Sequence, residues 1–108
     1  MKKRAFSYTI LPPAQVDFKK GRDWYKSRHV AGLSGRFTRA VLDAIARIRE
    51  NPFAYAVRYR DVRCCHTEVF PYAIHFIINE PDSVVTIIAI IYEGRNPGIG
   101  MSRKEEEA

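Results

Sequence analysis

From Phe6 to Ile10 apolar and polar side chains alternate: Phe6, Tyr8 and Ile10 are separated by Ser7 and Thr9. That period of two predicts a strand, and Pro12-Pro13 closes it. From Ala14 the period lengthens. Ala14, Phe18, Gly21 and Tyr25 recur at spacings of four, three and four, which marks one face of a helix, with Trp24 beside it. Pro13 suits the first helical turn, where a missing N–H costs nothing. Gly21 costs about 1 kcal/mol against alanine in a helix interior, so its use there predicts the close approach of another element. His29 to Gly32 reads as a short connector, and Ser34 as the cap of a second helix. The stripe of that helix is Leu33, Phe37, Val41, Ala44, Ile45 and Ile48, and Asn51-Pro52 stops it. A connector this short implies an antiparallel helical hairpin.

The last third returns to strand patterning. Phe53 to Asp61 is open between loop and irregular strand. Val62 to Val69 reads as a strand, interrupted at Phe70-Pro71 because proline cannot donate to a ladder. Tyr72 to Ile78 is the next strand, 79–83 a polar turn, and Val84 to Ile91 the last strand. That last run is apolar on both faces, which predicts a central strand buried above and below. The order is β-α-α-β-β-β. The helical stripes have one partner large enough to cover them, the sheet. The expected fold is therefore α+β, a small, mainly antiparallel sheet packed on one face by the hairpin. Residues 1–103 read as one domain and 104–108 as a solvated, disordered tail.

Composition narrows the class. At 108 residues and 46% hydrophobic content the chain is globular. It is long enough to bury roughly 65% of its unfolded surface without disulfide or metal help. The net charge is +6, and twelve arginines stand against six lysines. Arginine favours bidentate contact with carboxylates and phosphates, so this balance points to an acidic or anionic partner. Cys64 and Cys65 are adjacent, and in a strand they face opposite ways, so they do not pair with each other. Free thiols fit a reducing, cytoplasmic setting. No Cys-x-x-Cys spacing is present, and neither a metal nor a small-molecule cofactor is expected. Met1-Lys2-Lys3-Arg4 is not followed by a long apolar run, so neither a signal peptide nor a membrane span is predicted.

Several segments together resemble the RelE/ParE superfamily of small toxins from bacterial toxin–antitoxin modules, which includes plasmid stabilisation proteins. They are Tyr8-Thr9-Ile10-Leu11 with Ala14, then Trp24-Tyr25, and then Phe37, Val41, Ile45 and Ile48 closed by Asn51-Pro52. Arg63, Phe70-Pro71-Tyr72, Ala89-Ile90 and Arg95-Asn96-Pro97 complete the set. The resemblance runs from about Tyr8 to Arg103. It implies a cytoplasmic toxin neutralised by a cognate antitoxin protein, and it implies the same strand and helix order reached from periodicity.

The superfamily divides in function. RelE-like members cut messenger RNA in the ribosome, whereas ParE-like members poison DNA gyrase and are not nucleases. A metal-independent ribonuclease needs an acid or base near the 2′-hydroxyl and cations on the scissile phosphate. The RelE-like third-strand arginine falls on Ala73 here, and the two alternating lysines of the preceding strand fall on or near Cys64 and His66. What remains for a nuclease is Arg63, His66, Tyr92 and Arg95. The leading expectation is thus a ParE-like, non-catalytic toxin that acts by binding, with gyrase as its target. The alternative is a ribosome-dependent mRNA interferase using those four residues. A non-toxic homologue that only binds an antitoxin is the third reading. Arg58, Arg60, Arg63, Tyr72 and Arg95 are the expected binding residues, since Arg58-Tyr59-Arg60 interleaves cations with an aromatic ring as an RNA surface does. Trp24, Tyr25 and Phe53 are the expected antitoxin contacts. Lys19, Lys20, Arg22, Lys26 and Arg28 read as the solvated face of the first helix.

Overall fold

In the computed structural model residues 5–94 are described. Strand β1 (Ser7–Ile10) leads into helices α1 (Pro12–Lys26) and α2 (Leu33–Glu50), and one 3-10 turn follows at Pro52–Ala54. Strands β2 (Val57–Tyr59), β3 (Val62–His66), β4 (Tyr72–Asn79) and β5 (Val84–Tyr92) complete the chain. They form one sheet in the order β1-β5-β4-β3-β2. β1 lies parallel to β5, and every other pair is antiparallel. The expected α+β layout holds, with one addition. The segment left open between loop and strand supplies β2, a short edge strand whose register shifts between Val57 and Tyr59.

Two element limits differ from the sequence expectation, each for a local reason. The strand expected to reach Val69 stops at His66. Thr67 Oγ1 donates to the Phe70 carbonyl at 2.6 Å, and the Thr67 N–H donates to the Tyr72 carbonyl at 3.0 Å. These bonds turn the backbone before Pro71 is reached. Ser34 does not cap α2. The cap position is Gly32, whose φ of +75° suits glycine. Ser34 lies inside the helix, where its Oγ donates to the Arg22 carbonyl at 3.1 Å and ties the end of α1 to the start of α2.

The hairpin is antiparallel: Arg22 meets Ser34, while Phe18, earlier on α1, stacks edge-on against Phe37, later on α2. Both helices cover one face of the sheet. Phe37, Val41, Ala44, Ile45 and Ile48 from α2 and Ala14 and Phe18 from α1 pack with Cys65, Tyr72, Ile74, Phe76, Val85, Ile87 and Ile90. β5 is an interior strand, as its two apolar faces predict. Burial on both faces, however, is complete only towards its end, at Ala89, Ile90 and Ile91, because Thr86 and Ile88 are half-buried.

A bulge sits in the middle of the sheet. His75 pairs with Ala89 but Phe76 pairs with Ile87, so Ile88 is an extra residue in β5. Just beyond it the Ile90 N–H donates to the carboxylate of Asp17, a buried acid on α1, at 3.0 Å. An acidic residue in the apolar face of α1 is thereby accounted for: it satisfies a backbone donor where the ladder is disrupted. Asp17→Ala is expected to cost about 1–2 kcal/mol in urea unfolding because the Ile90 donor loses its acceptor, whereas Asp17→Asn, which keeps a carbonyl oxygen, is expected to lose less.

Candidate functional site

The three groups of the nuclease reading that fall among the described residues lie on different sides of the sheet. Residues alternate along β3, so Arg63 and His66 leave it on opposite faces. Arg63 stands on the helix side, paired with Phe76. Its guanidinium donates to the Tyr55 carbonyl at 2.6 Å and lies over the Phe53 ring at 5.4 Å. Arg63 therefore ties down the segment after α2. Tyr92 is also on the helix side, paired with Tyr72 and stacked on its ring at 5.5 Å. His66 stands on the face opposite the helices, paired with Ala73. Arg95 lies outside the described residues.

The face opposite the helices holds its own polar constellation. His66 Nε2 meets Glu93 Oε1 at 3.1 Å, joining the end of β3 to the residue after β5. Tyr59, from edge strand β2, reaches across to share a hydrogen bond of 3.0 Å with His75 Nδ1 on β4. Cys64 lies between them in the sheet, paired with His75. Arg47 of α2 caps the sheet edge, donating to the His66 carbonyl at 3.1 Å. The sequence reading singled out His66 here, but not Glu93, Tyr59 or His75 as partners of it. Strand parity places Cys64, His66, His75 and Ala73 on one face. Only the five-strand order brings Glu93 and Tyr59 to them.

The expected binding residues divide by exposure. Arg58 and Arg60 are exposed at the sheet edge, Arg60 with φ +48° in the turn between β2 and β3. Trp24 is 53% exposed and carries Arg28 stacked on its ring at 4.2 Å. Phe53 is 47% exposed, with its edge on Phe6. These rings remain available to a partner. Tyr25 and Tyr72 are used by the core instead. Tyr25 packs against Phe37 and Phe70, each at 5.0 Å, and Tyr72 is buried against Phe37 at 4.8 Å.

Burial sets the chemistry of two groups. It pushes the Tyr72 hydroxyl up to about 12, with the neighbouring Tyr25, Tyr92 and Asp17 adding to the rise. It pushes the Cys64 thiol up to about 11, against the pull of Arg58, so Cys64 is not an activated thiolate. Both groups are neutral in the fold and lose their protons more readily once unfolded. The unfolded chain therefore binds fewer protons above the ordinary values of 9.0 for cysteine and 10.0 for tyrosine. Stability from these two groups is fully present below those values and is lost as pH rises through about 11 and about 12. Unfolding midpoints followed from neutral to strongly alkaline pH are expected to fall in that window, and Tyr72→Phe is expected to flatten the upper part.

A helical hairpin roofing one face of a mainly antiparallel sheet defines a small α+β fold. Residues 8–97 match the family model described as the ParE toxin of the type II toxin–antitoxin system parDE. The chain belongs to that family, within the RelE/ParE superfamily. No curated protein sequence matches it significantly. Solved structures share the fold at low identity. The chromosomal ParDE system from P. aeruginosa superposes with a TM-score of 0.70 at 14% identity, over 83% of this chain and 98% of that one. The toxin–antitoxin complex RelBE2 from Mycobacterium tuberculosis gives 0.59 at 12% identity, over 82% and 98%. A double-arginine mutant of the E. coli toxin RelE in the free state gives 0.57 at 12%, over 94% and 97%.

Proposed function

We propose that this ParE-family toxin acts by binding its target, with DNA gyrase as that target, and that it is neutralised by a cognate antitoxin in the cytoplasm. The separation of Arg63, His66 and Tyr92 supports a binding mode of action. Arg63 and Tyr92 are engaged on the helix side, while His66 faces the other way. Phosphate cleavage without a metal requires its cations and its acid or base around one scissile bond. The ParE family match and the likeness to a ParDE system favour the gyrase target. Exposed Trp24 and Phe53 are the rings offered to the antitoxin, and Arg58 and Arg60 serve as peripheral cations for the target.

The mRNA interferase reading keeps one observation in its favour, the His66–Glu93 pair on the face opposite the helices. The two readings separate in one pair of assays. Purified protein is expected to inhibit gyrase supercoiling and to leave mRNA on translating ribosomes intact. Cleavage that disappears in His66→Ala or Arg95→Ala would reverse the order. Growth arrest on expression, relieved by co-expression of the neighbouring reading frame, separates both from a non-toxic homologue. The antitoxin segment that binds a chain of charge +6 is expected to be acidic with apolar anchors, and its affinity to fall as salt rises. A salt-independent affinity would assign the binding to apolar contact.

A further inference from the structure

The charge of the described residues is gathered at one end of the molecule. Residues 19–40 carry seven lysines and arginines against one acid, Asp23. The other described residues carry five arginines against eight acids. Because the hairpin is antiparallel, the last two turns of α1, the connector 27–32 and the first two turns of α2 share that end. The connector is exposed throughout, and of the seven cations only Arg22 is half-buried. The ion pair of this stretch among the described residues is Lys19–Asp23, at 2.8 Å. Two guanidiniums are held by rings: Arg22 lies over Phe18 at 4.6 Å and Arg28 over Trp24 at 4.2 Å. Such fixed cations have less rotamer freedom to lose when an anion binds.

The borders of this surface carry the opposite sign. Asp43 and Glu68 lie beside Arg36 and Arg39 on the β3–β4 side of α2, and Glu93 is taken up by His66. At the far end of the molecule, where the close of α2 meets the start of β1 and the β4–β5 turn, Glu50, Glu80 and Asp82 stand with Arg49. At the bend itself the surface is open. Gly32, Gly35, Arg36 and Arg39 line a shallow concavity of about 440 Å³, and a Cβ built at Gly35 would meet nothing within 4 Å.

The cations form two rows, Lys19, Arg22 and Lys26 on α1 and Arg36 and Arg39 on α2. Packed helices lie about 8–10 Å apart. The grooves of B-DNA are about 6 and 12 Å wide. Two rows at this separation meet phosphates of both strands across one groove, whereas an extended acidic peptide or a single strand meets one row at a time. We propose that the hairpin bend is a second interaction surface and that it takes the phosphate backbone of duplex DNA. Contacts of this kind position a protein on DNA without reading sequence. They need no other protein, so they are independent of the toxin's target.

The test titrates the full chain alone against a fluorescent duplex and reads anisotropy as salt is raised. With about five phosphate contacts, the logarithm of the affinity is expected to fall with the logarithm of salt at a slope of about −4 to −5, a loss of roughly 250–1,000-fold between about 50 and 200 mM. Lys26→Gln, Arg36→Gln and Arg39→Gln together are expected to bring the slope to about −2. Arg58→Gln with Arg60→Gln, at the edge strand β2, is expected to leave it unchanged. All five positions are exposed, and an unchanged melting curve confirms that the variants fold. Absence of binding at the lowest salt, or an equal loss of slope in both variants, would overturn the proposal. A poly-glutamate peptide that binds the unsubstituted protein as tightly as the duplex would overturn it too, by assigning the bend to an acidic protein. A single strand that binds as tightly as the duplex would remove the two-row geometry and the proposal with it. Gyrase is absent from the titration, so failure of gyrase inhibition leaves this result standing.

Discussion

Phe37→Ala is expected to remove about 3–5 kcal/mol of unfolding free energy, the largest loss for any single residue here. Its ring is fully buried where α1, α2 and the sheet meet. It touches the rings of Phe18 at 6.0 Å, Tyr25 at 5.0 Å, Phe70 at 5.6 Å and Tyr72 at 4.8 Å. Alanine forfeits the transfer of the ring from water and also leaves a cavity that four aromatic neighbours, each fixed from its other side, close poorly. A domain of this size holds about 5–15 kcal/mol in all, so the variant is expected to lie near the threshold of folding. Chemical denaturation of purified protein reads the effect directly. A loss under about 1 kcal/mol would mean that the two helices and the sheet hold together without this ring.

Gly21→Val is expected to cost about 3 kcal/mol, although glycine is a poor residue for a helix interior. A Cβ built at Gly21 lies 2.6 Å from Cζ and 2.7 Å from Cε2 of Phe37 and 3.4 Å from the Tyr72 hydroxyl. The nearest atoms belong to a ring that cannot swing away, because its aromatic neighbours enclose it. Even Gly21→Ala, which gains about 1 kcal/mol of helix propensity, is expected to be net destabilising. The pair can be checked by a double-mutant cycle. Phe37→Leu shortens the obstructing side chain, so Gly21→Ala is expected to cost less in that background, with a coupling of about 1–2 kcal/mol. Additive effects would mean that the clash is relieved by movement of the helices instead.

Much of the fold was legible because each element carries a clear period. The stripe from Leu33 to Ile48, the alternation at Phe6–Ile10 and the uninterrupted apolar run of β5 each allowed one assignment. The close approach predicted at Gly21 is the contact with Phe37. The limits that sequence missed depend on hydrogen bonds between residues apart in the chain. Ser34 looks like a cap until Arg22 is seen to offer it a carbonyl, and β3 looks longer until Thr67 folds back on Phe70 and Tyr72. The pairing of β1 with β5 could not be read from turns, because no turn joins them.

The candidate site was less legible for a related reason. Strand parity separates Arg63 from His66 in principle, but the family resemblance groups them by order along the chain and not by face. Glu93 reaches His66, and Tyr59 reaches His75, across strands whose neighbours are fixed only by the whole sheet. Tyr25 reads both as part of the apolar stripe of α1 and as an antitoxin contact, and Tyr72 as a binding residue, because nothing local distinguishes a ring that serves a partner from one that serves the core.

The parallel register of β1 against β5 sets Ser7 beside Val84 and Ile10 beside Ile87. Among the described residues β1 thus has its sheet neighbour in β5, the strand farthest from it along the chain, and such remote pairings form late. A nascent chain halted before Val84 lacks the strand that joins β1 to β4. Translation cut short before Val84 would therefore release a polypeptide whose β1 has no strand to join.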